Sequence, residues 1–201
     1  VGYKDIYQEF GKSNQLIIGI EKETLKVHKF DFIKNYITIV SSLDLSMCSK
    51  MINPLINQIL GLGKTSLQVI QADDFMIDSK YTPYYQYEKE NFNDCFTKLY
   101  DMVNEANNLY KESNYNKKIL ENRKKITCII IGINSFKSKL SEDNKLKFPE
   151  LFSMAKDLDI IHFIFVDSID EFKKIELESW YKNCINNNNG IWIGNGLADQ
   201  F

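Results

Sequence analysis

The run 36–40 (YITIV) leads into ten residues that stand where a strand–loop–helix unit would hold a phosphate: Ser41-Ser42-Leu43-Asp44-Leu45-Ser46-Met47-Cys48-Ser49-Lys50. Phosphate chemistry at such a place asks for the pattern GxxxxGK[ST]. The glycines let backbone N–H groups wrap the anion, the lysine reaches the outer phosphates, and the hydroxyl takes the magnesium ion. The position of the segment fits that task, and its residues do not. No glycine lies between 19 and 61. One register puts Cys48 at the lysine position. The other uses Lys50, but then Asp44 and Ser49 replace the glycines and Met51 replaces the Ser/Thr. Asp44 also brings negative charge to the place of an anion. Two readings stand: an unusual nucleotide cradle using Ser42, Ser46, Cys48, Ser49 and Lys50, or a loop that keeps the fold without the ligand. The amount of missing geometry favours the second.

Other candidates are thinner. Gly61-Leu62-Gly63-Lys64-Thr65-Ser66 contains GKT, but the first glycine of the motif would fall on Gln58. It also follows a helical pattern and precedes a strand, the reverse of the required order, so a helix C-cap and turn explain it better. Nucleotide hydrolysis needs an acid at an apolar strand's end to hold a metal and orient water. The strand 126–131 ends in Gly132-Ile133-Asn134-Ser135, without an acid. The strand 160–166 ends in Asp167, with Asp170 and Glu171 close by, and Asp73-Asp74 follow 66–71. Solvated acids are common at such ends. His28 and His162 lie in strand patterns and read as structural. Cys48, Cys95, Cys128 and Cys184 are spread without a CxxC pair, so neither zinc nor a disulfide framework is expected. Near the end of the chain, GIWIGNG requires a tight turn. Its Trp192, with Trp180 and Tyr181, could form core or a shallow aromatic binding patch.

The elements that would position these residues alternate. Strands are read at 15–20 and 24–32, joined by a turn at 21–23, and at 36–40. A helix follows through Met51, Leu55 and Ile59, with Ser46 or Ser49 as its cap and Pro54 in its first turn or at a kink. A strand at 66–71 and a Tyr-rich loop at 81–87 come next. Phe92, Phe96, Leu99, Val103, Ala106 and Tyr110 mark one face of a long helix over 88–113. Residues 114–125 read as loop. The run 126–133 is apolar on both faces, as in a central parallel strand. A short helix at 149–158 opened by Pro149, a strand at 160–166, a helix at 176–186 and a strand at 191–193 complete the chain. This order gives an α/β fold: three layers around a mostly parallel sheet, with the 15–32 hairpin as an antiparallel addition at an edge.

Composition sets limits on function. The 201 residues suit one domain. With 44% hydrophobic residues the chain is too apolar for disorder, and a formal charge of −2 offers no excess for nucleic acid. Arg123 is the lone arginine, which leaves little scope for bidentate phosphate clamps. No stretch reaches the roughly 20 apolar residues of a membrane span, and the first residues lack signal-peptide shape.

IIGIEKETLKVHKFDFIKNYITIVSS resembles the opening of FtsK/SpoIIIE-type ATPase modules of type VII secretion. GIWIGNGLADQ, with SWYK upstream, resembles the last ATPase-like domain of EssC proteins. The resemblance implies a P-loop NTPase (RecA/FtsK-like) fold over 1–201. It also implies a degenerate module excised from a larger membrane-anchored protein whose homologues extend further. The degenerate Walker A position falls on 41–50 and the Walker B position on Gly132 and Asn134. Asp167 falls on a sensor strand. The implied function is a non-hydrolysing module that recognises secreted WXG100-type proteins and regulates their export from the cytoplasmic side, without a catalytic residue, metal or cofactor and with weak ATP binding left open. The implied partners are those secreted proteins and neighbouring ATPase domains, without direct contact with nucleic acid or membrane. An active or nucleotide-gated ATPase and a scaffold for neighbouring modules are the alternatives.

Overall fold

A computed structural model describes residues 15–20, 23–24, 26–30, 36–185 and 190–194. The expectations for 1–13, for most of the turn at 21–23, for the Asn run 186–189 and for the turn residues after 194 lie outside the described residues.

Strands β1 (Leu16–Ile20), β2 (Val27–Phe30) and β3 (Ile37–Ser42) come first, then α1 (Ser49–Leu62) and β4 (Ser66–Gln71). β5 (Gln86–Glu88), α2 (Phe92–Glu112), β6 (Ile126–Ile131), α3 (Ile133–Ser138) and α4 (Glu142–Ala155) follow. The chain continues through β7 (Ile161–Ser168), α5 (Ile169–Ile175), α6 (Ser179–Cys184) and β8 (Gly190–Ile193). Six strands pair in the order β5-β4-β6-β7-β3-β8, with parallel neighbours throughout. The central strands are apolar on both faces because both are covered. From β6, Cys128 and Ile130 face one buried cluster with α2, α4 and α6, while Ile129 and Ile131 face a second cluster with α1. The α/β fold with three layers is therefore present.

The hairpin differs from expectation. β1 and β2 pair antiparallel, but they form a separate two-stranded sheet and do not extend the edge of the large one. An isolated hairpin is marginal in water. This one is held on α1, where Leu16 is buried in the second cluster. The Gln58 carboxamide accepts from Ile17 N at 2.8 Å and donates to Ile17 O at 2.9 Å. One buried side chain thus meets both backbone groups of Ile17, as a strand partner would.

Several helices also depart from the expected bounds. The helix expected at 149–158 starts at Glu142, capped by Ser141, whose side chain accepts from Asn144 N, and Pro149 lies inside it. Glu142 and Asp143 in the first turn suit the helix dipole. The region 169–186 holds two short helices, α5 capped by Ser168 and α6. α3 follows β6 with no loop between them beyond Gly132. The Tyr-rich loop contains a 3-10 turn, Ser79–Tyr84, and the short edge strand β5.

Candidate functional site

Parallel α/β sheets present ligands beyond the carboxyl ends of their strands. The ends of β3, β6 and β7 bring together the two positions singled out above: Ser41 and Ser42 pair with Asp167 and Ser168, and Ile131 pairs with Val166.

After β3 the loop closes on itself. Ser42 Oγ donates to the Asp44 carbonyl at 2.5 Å and lies 3.2 Å from Cys48 Sγ. Asp44 Oδ1 accepts from Ser46 N at 2.9 Å, and the Asp44 carbonyl accepts from Met47 N at 3.0 Å. The next residues wind into a 3-10 turn, Leu45–Cys48, and the Ser49 N–H returns to the Ser46 carbonyl. The backbone N–H groups of Ser46, Met47 and Ser49 are therefore used within the loop, and an aspartate carboxylate takes one of them as acceptor. The Ser46 N–H holds the Asp44 carboxyl below its ordinary range. The cap expected from Ser46 or Ser49 comes from Asp44, on the 3-10 turn, and α1 itself has no side-chain cap. The Asp-x-Ser spacing was a readable sign of this, since aspartates commonly bond the backbone two residues on. Ser49 Oγ donates to the Ser46 carbonyl at 2.7 Å. Cys48 is buried, and burial pushes its thiol up, so it is not a ready nucleophile. Lys50 is exposed and lies along a groove between α1 and β8.

At the end of β6, Gly132 has φ +79°, the left-handed region. A Cβ built there would lie 2.4 Å from Asp73 Oδ2. The space of a side chain at 132 is taken by an acid from the loop after β4, which the sequence could not reveal. Asn134 ties α3 to α5: its Nδ2 donates to the Glu171 carbonyl at 2.7 Å and to Glu171 Oε2 at 3.0 Å. Asp167 is buried, with Oδ2 accepting from Ile133 N at 2.9 Å and Oδ1 from Ser168 N at 2.8 Å. Burial pushes its carboxyl up to about 7, against the pull of those two bonds, and the Asp73 and Glu171 charges push the same way. Both oxygens thus serve the backbone. Among the described residues, no group of three or more His, Cys, Asp or Glu side chains could hold a metal ion.

Gly61 to Ser66 form the expected helix end. Gly63 has φ 63° at the C-cap of α1, and its N–H returns to the Ile59 carbonyl. His28 is exposed on β2, and His162 is buried on β7 with Nε2 3.4 Å from Asp159 Oδ1.

Trp180 and Tyr181 do not form a binding patch. Both are buried, and the Trp180 ring packs 5.1 Å from Phe152 and 5.4 Å from Phe148, centroid to centroid. Its Nε1 donates to Glu178 Oε2 at 2.6 Å. Residues this large, next to a sheet face rich in Phe, complete the core. Trp192 is half-buried on β8 and joins neither ring.

No family model matches the chain, and no curated protein matches it. Solved structures do. The cytoplasmic domain of EssC superposes with TM-score 0.62 at 9% identity, covering 86% of this chain and 34% of that one. The pCW3 conjugation coupling protein TcpA, solved with ATPγS, gives 0.62 at 18%, covering 92% and 56%. Thermomonospora curvata EccC (ATPases 2 and 3), in complex with a signal sequence peptide, gives 0.52 at 17%, covering 92% and 36%. The fold is that of P-loop ATPase modules. The chain spans between about a third and just over half of these relatives' lengths. No described helix is long and apolar enough to cross a membrane.

Proposed function

We propose that this chain is a non-hydrolysing ATPase-fold module of a type VII secretion motor, acting in recognition of secreted proteins and in regulation of their export. The observation that carries the first half is Asp44. Its carboxylate and carbonyl accept from the backbone N–H groups of Ser46 and Met47, at the loop where an active module would receive phosphate. The absence of a lysine at the motif position in the Cys48 register and of both glycines supports the same reading. So do Gly132, which carries no acid, and Asp167, whose oxygens are engaged by Ile133 N and Ser168 N.

The second half is supported by the kind of relatives that share the fold, among them an EccC solved with a signal sequence peptide. The partners proposed are small WXG100-type secreted proteins and adjoining modules of the same motor, on the cytoplasmic side of a membrane-anchored parent. Pull-down with the intact chain tests this half. Retention of a secreted protein is the expected result, and retention of neighbouring modules alone assigns the chain to scaffolding instead.

A further inference from the structure

The connection between α2 and β6 concentrates positive charge. Residues 111–125 hold six basic side chains and two acidic ones, on a chain whose formal charge is −2. α2 ends at Glu112 and β6 begins at Ile126, so this stretch lies at the amino ends of the parallel strands, the end opposite Asp44 and Gly132. Its backbone is tied down. Leu120 is buried in the first cluster, Asn116 Oδ1 accepts from Lys118 N at 3.1 Å, and Tyr115 N donates to the Tyr110 carbonyl at 2.8 Å. Arg123 and Lys125 are held in ion pairs with Glu105 and Asp159, at 2.5 and 2.6 Å. Lys111, Lys117, Lys118 and Lys124 are exposed and make no ion pair among the described residues. Interleaved with these lysines are two large side chains left open to solvent, Tyr115 at 65% and Ile119 at 47% exposure. Tyr115 also has φ 62°, a left-handed conformation that strains a bulky residue. A glycine would hold the same turn without strain, so the backbone alone does not call for a tyrosine here.

We propose that this end of the molecule rests on an anionic lipid surface. Tyr115 and Ile119 would enter the headgroup region, and the four unpaired lysines would meet the phosphate charge around them. The residue types favour a lipid surface over a single fixed phosphate. Lysine ammonium groups are point charges on flexible stems, suited to many mobile headgroups. The one guanidinium fork that could grip a phosphate in two places is already held by Glu105. A tyrosine with an apolar ring and a polar hydroxyl suits the boundary between headgroups and acyl chains. The resemblance implied no membrane contact for this chain, and the charge and exposure of residues 111–125 point the other way. The proposal stands apart from the recognition role argued above.

The experiment sediments the whole chain with vesicles of phosphatidylcholine alone, and with vesicles of phosphatidylcholine and phosphatidylglycerol in equal parts. The expected result is binding to the mixed vesicles only, lost as salt rises from about 0.1 M to about 1 M and the screening length falls about threefold. Reversing two charges together, Lys117→Glu with Lys118→Glu, weakens binding about tenfold or more. Tyr115→Gly keeps every charge and relieves the backbone, so its melting temperature stays level or rises while binding falls about threefold or more. That pairing separates a lipid contact from a merely structural ring. Three results overturn the proposal: no binding to the mixed vesicles, binding that neither variant lowers, or binding of a DNA duplex at the same salt without binding of vesicles. The last assigns the lysines to nucleic acid instead. None of the three bears on the recognition role.

Discussion

At the end of β7 the Asp167 carboxyl is buried, bonded to two backbone N–H groups and raised to about 7. An unfolded aspartate titrates near 3.9. Between those values the folded state binds more protons than the unfolded one, so stability from this group falls as pH rises from about 4 through 7. The full span is on the order of 4 kcal/mol. Asp167→Asn removes the charge and keeps an acceptor. Thermal melts of both proteins from pH 5 to 8 should show the wild type losing stability relative to the variant as pH rises, and parallel profiles would count against a raised Asp167. Gly132 makes a second residue-scale prediction. Gly132→Ala forces a Cβ against Asp73 at a left-handed φ, at a cost of about 1–3 kcal/mol. Adding Asp73→Ala should recover part of that loss, a non-additivity that urea denaturation of the double-mutant cycle would read. Additive losses would show that Asp73 does not fill the space. Trp180→Ala should cost about 3–5 kcal/mol, measured the same way, because the ring is core. A loss below about 1 kcal/mol would return it to the surface.

Among the described residues, the hairpin is held on α1 by the Gln58 side chain and by the packing of Leu16 and Phe30. Gln58→Ala leaves the Ile17 N–H and carbonyl without their partner, which costs about 1–3 kcal/mol. Exchange of the β1 amides should quicken while that of β6 and β7 does not. Unchanged exchange in β1 would show that the apolar packing of Leu16 and Phe30 holds the hairpin without Gln58. The large elements were legible because their patterns are unambiguous. β6 and β7 are apolar on both faces, and α2 repeats its apolar residues every third or fourth position over 21 residues. The short ones were hidden. α3 and α5 have seven residues or fewer, too few for a period to register. Pro149 favours a first turn and so points to a late start for α4, while the Ser141 cap and the acids after it mark the start seven residues earlier. The separate hairpin sheet depends on Gln58, a tertiary contact 41 residues away in sequence that no local pattern encodes.

For the molecule as a whole, the fold is that of P-loop ATPase modules, and the loop after β3 bonds within itself through the Asp44 carboxylate and carbonyl. Half of that was visible in the residues: the missing glycines and the acid at 44 stand in the sequence. How Asp44 engages Ser46 and Met47, and how Asp73 takes the side-chain space at Gly132, required three dimensions. Ser46, Ser49 and Asn134 turn out to bond the loop and its neighbouring helices. Trp180 and Tyr181 belong to the core. The most direct measurement is calorimetric titration of the chain with Mg-ATP, paired with an assay for phosphate release. The expected result is no saturable heat at concentrations up to about 1 mM, the range of very weak binding, and no release of phosphate. Micromolar binding with turnover, abolished by Lys50→Ala, would contradict it.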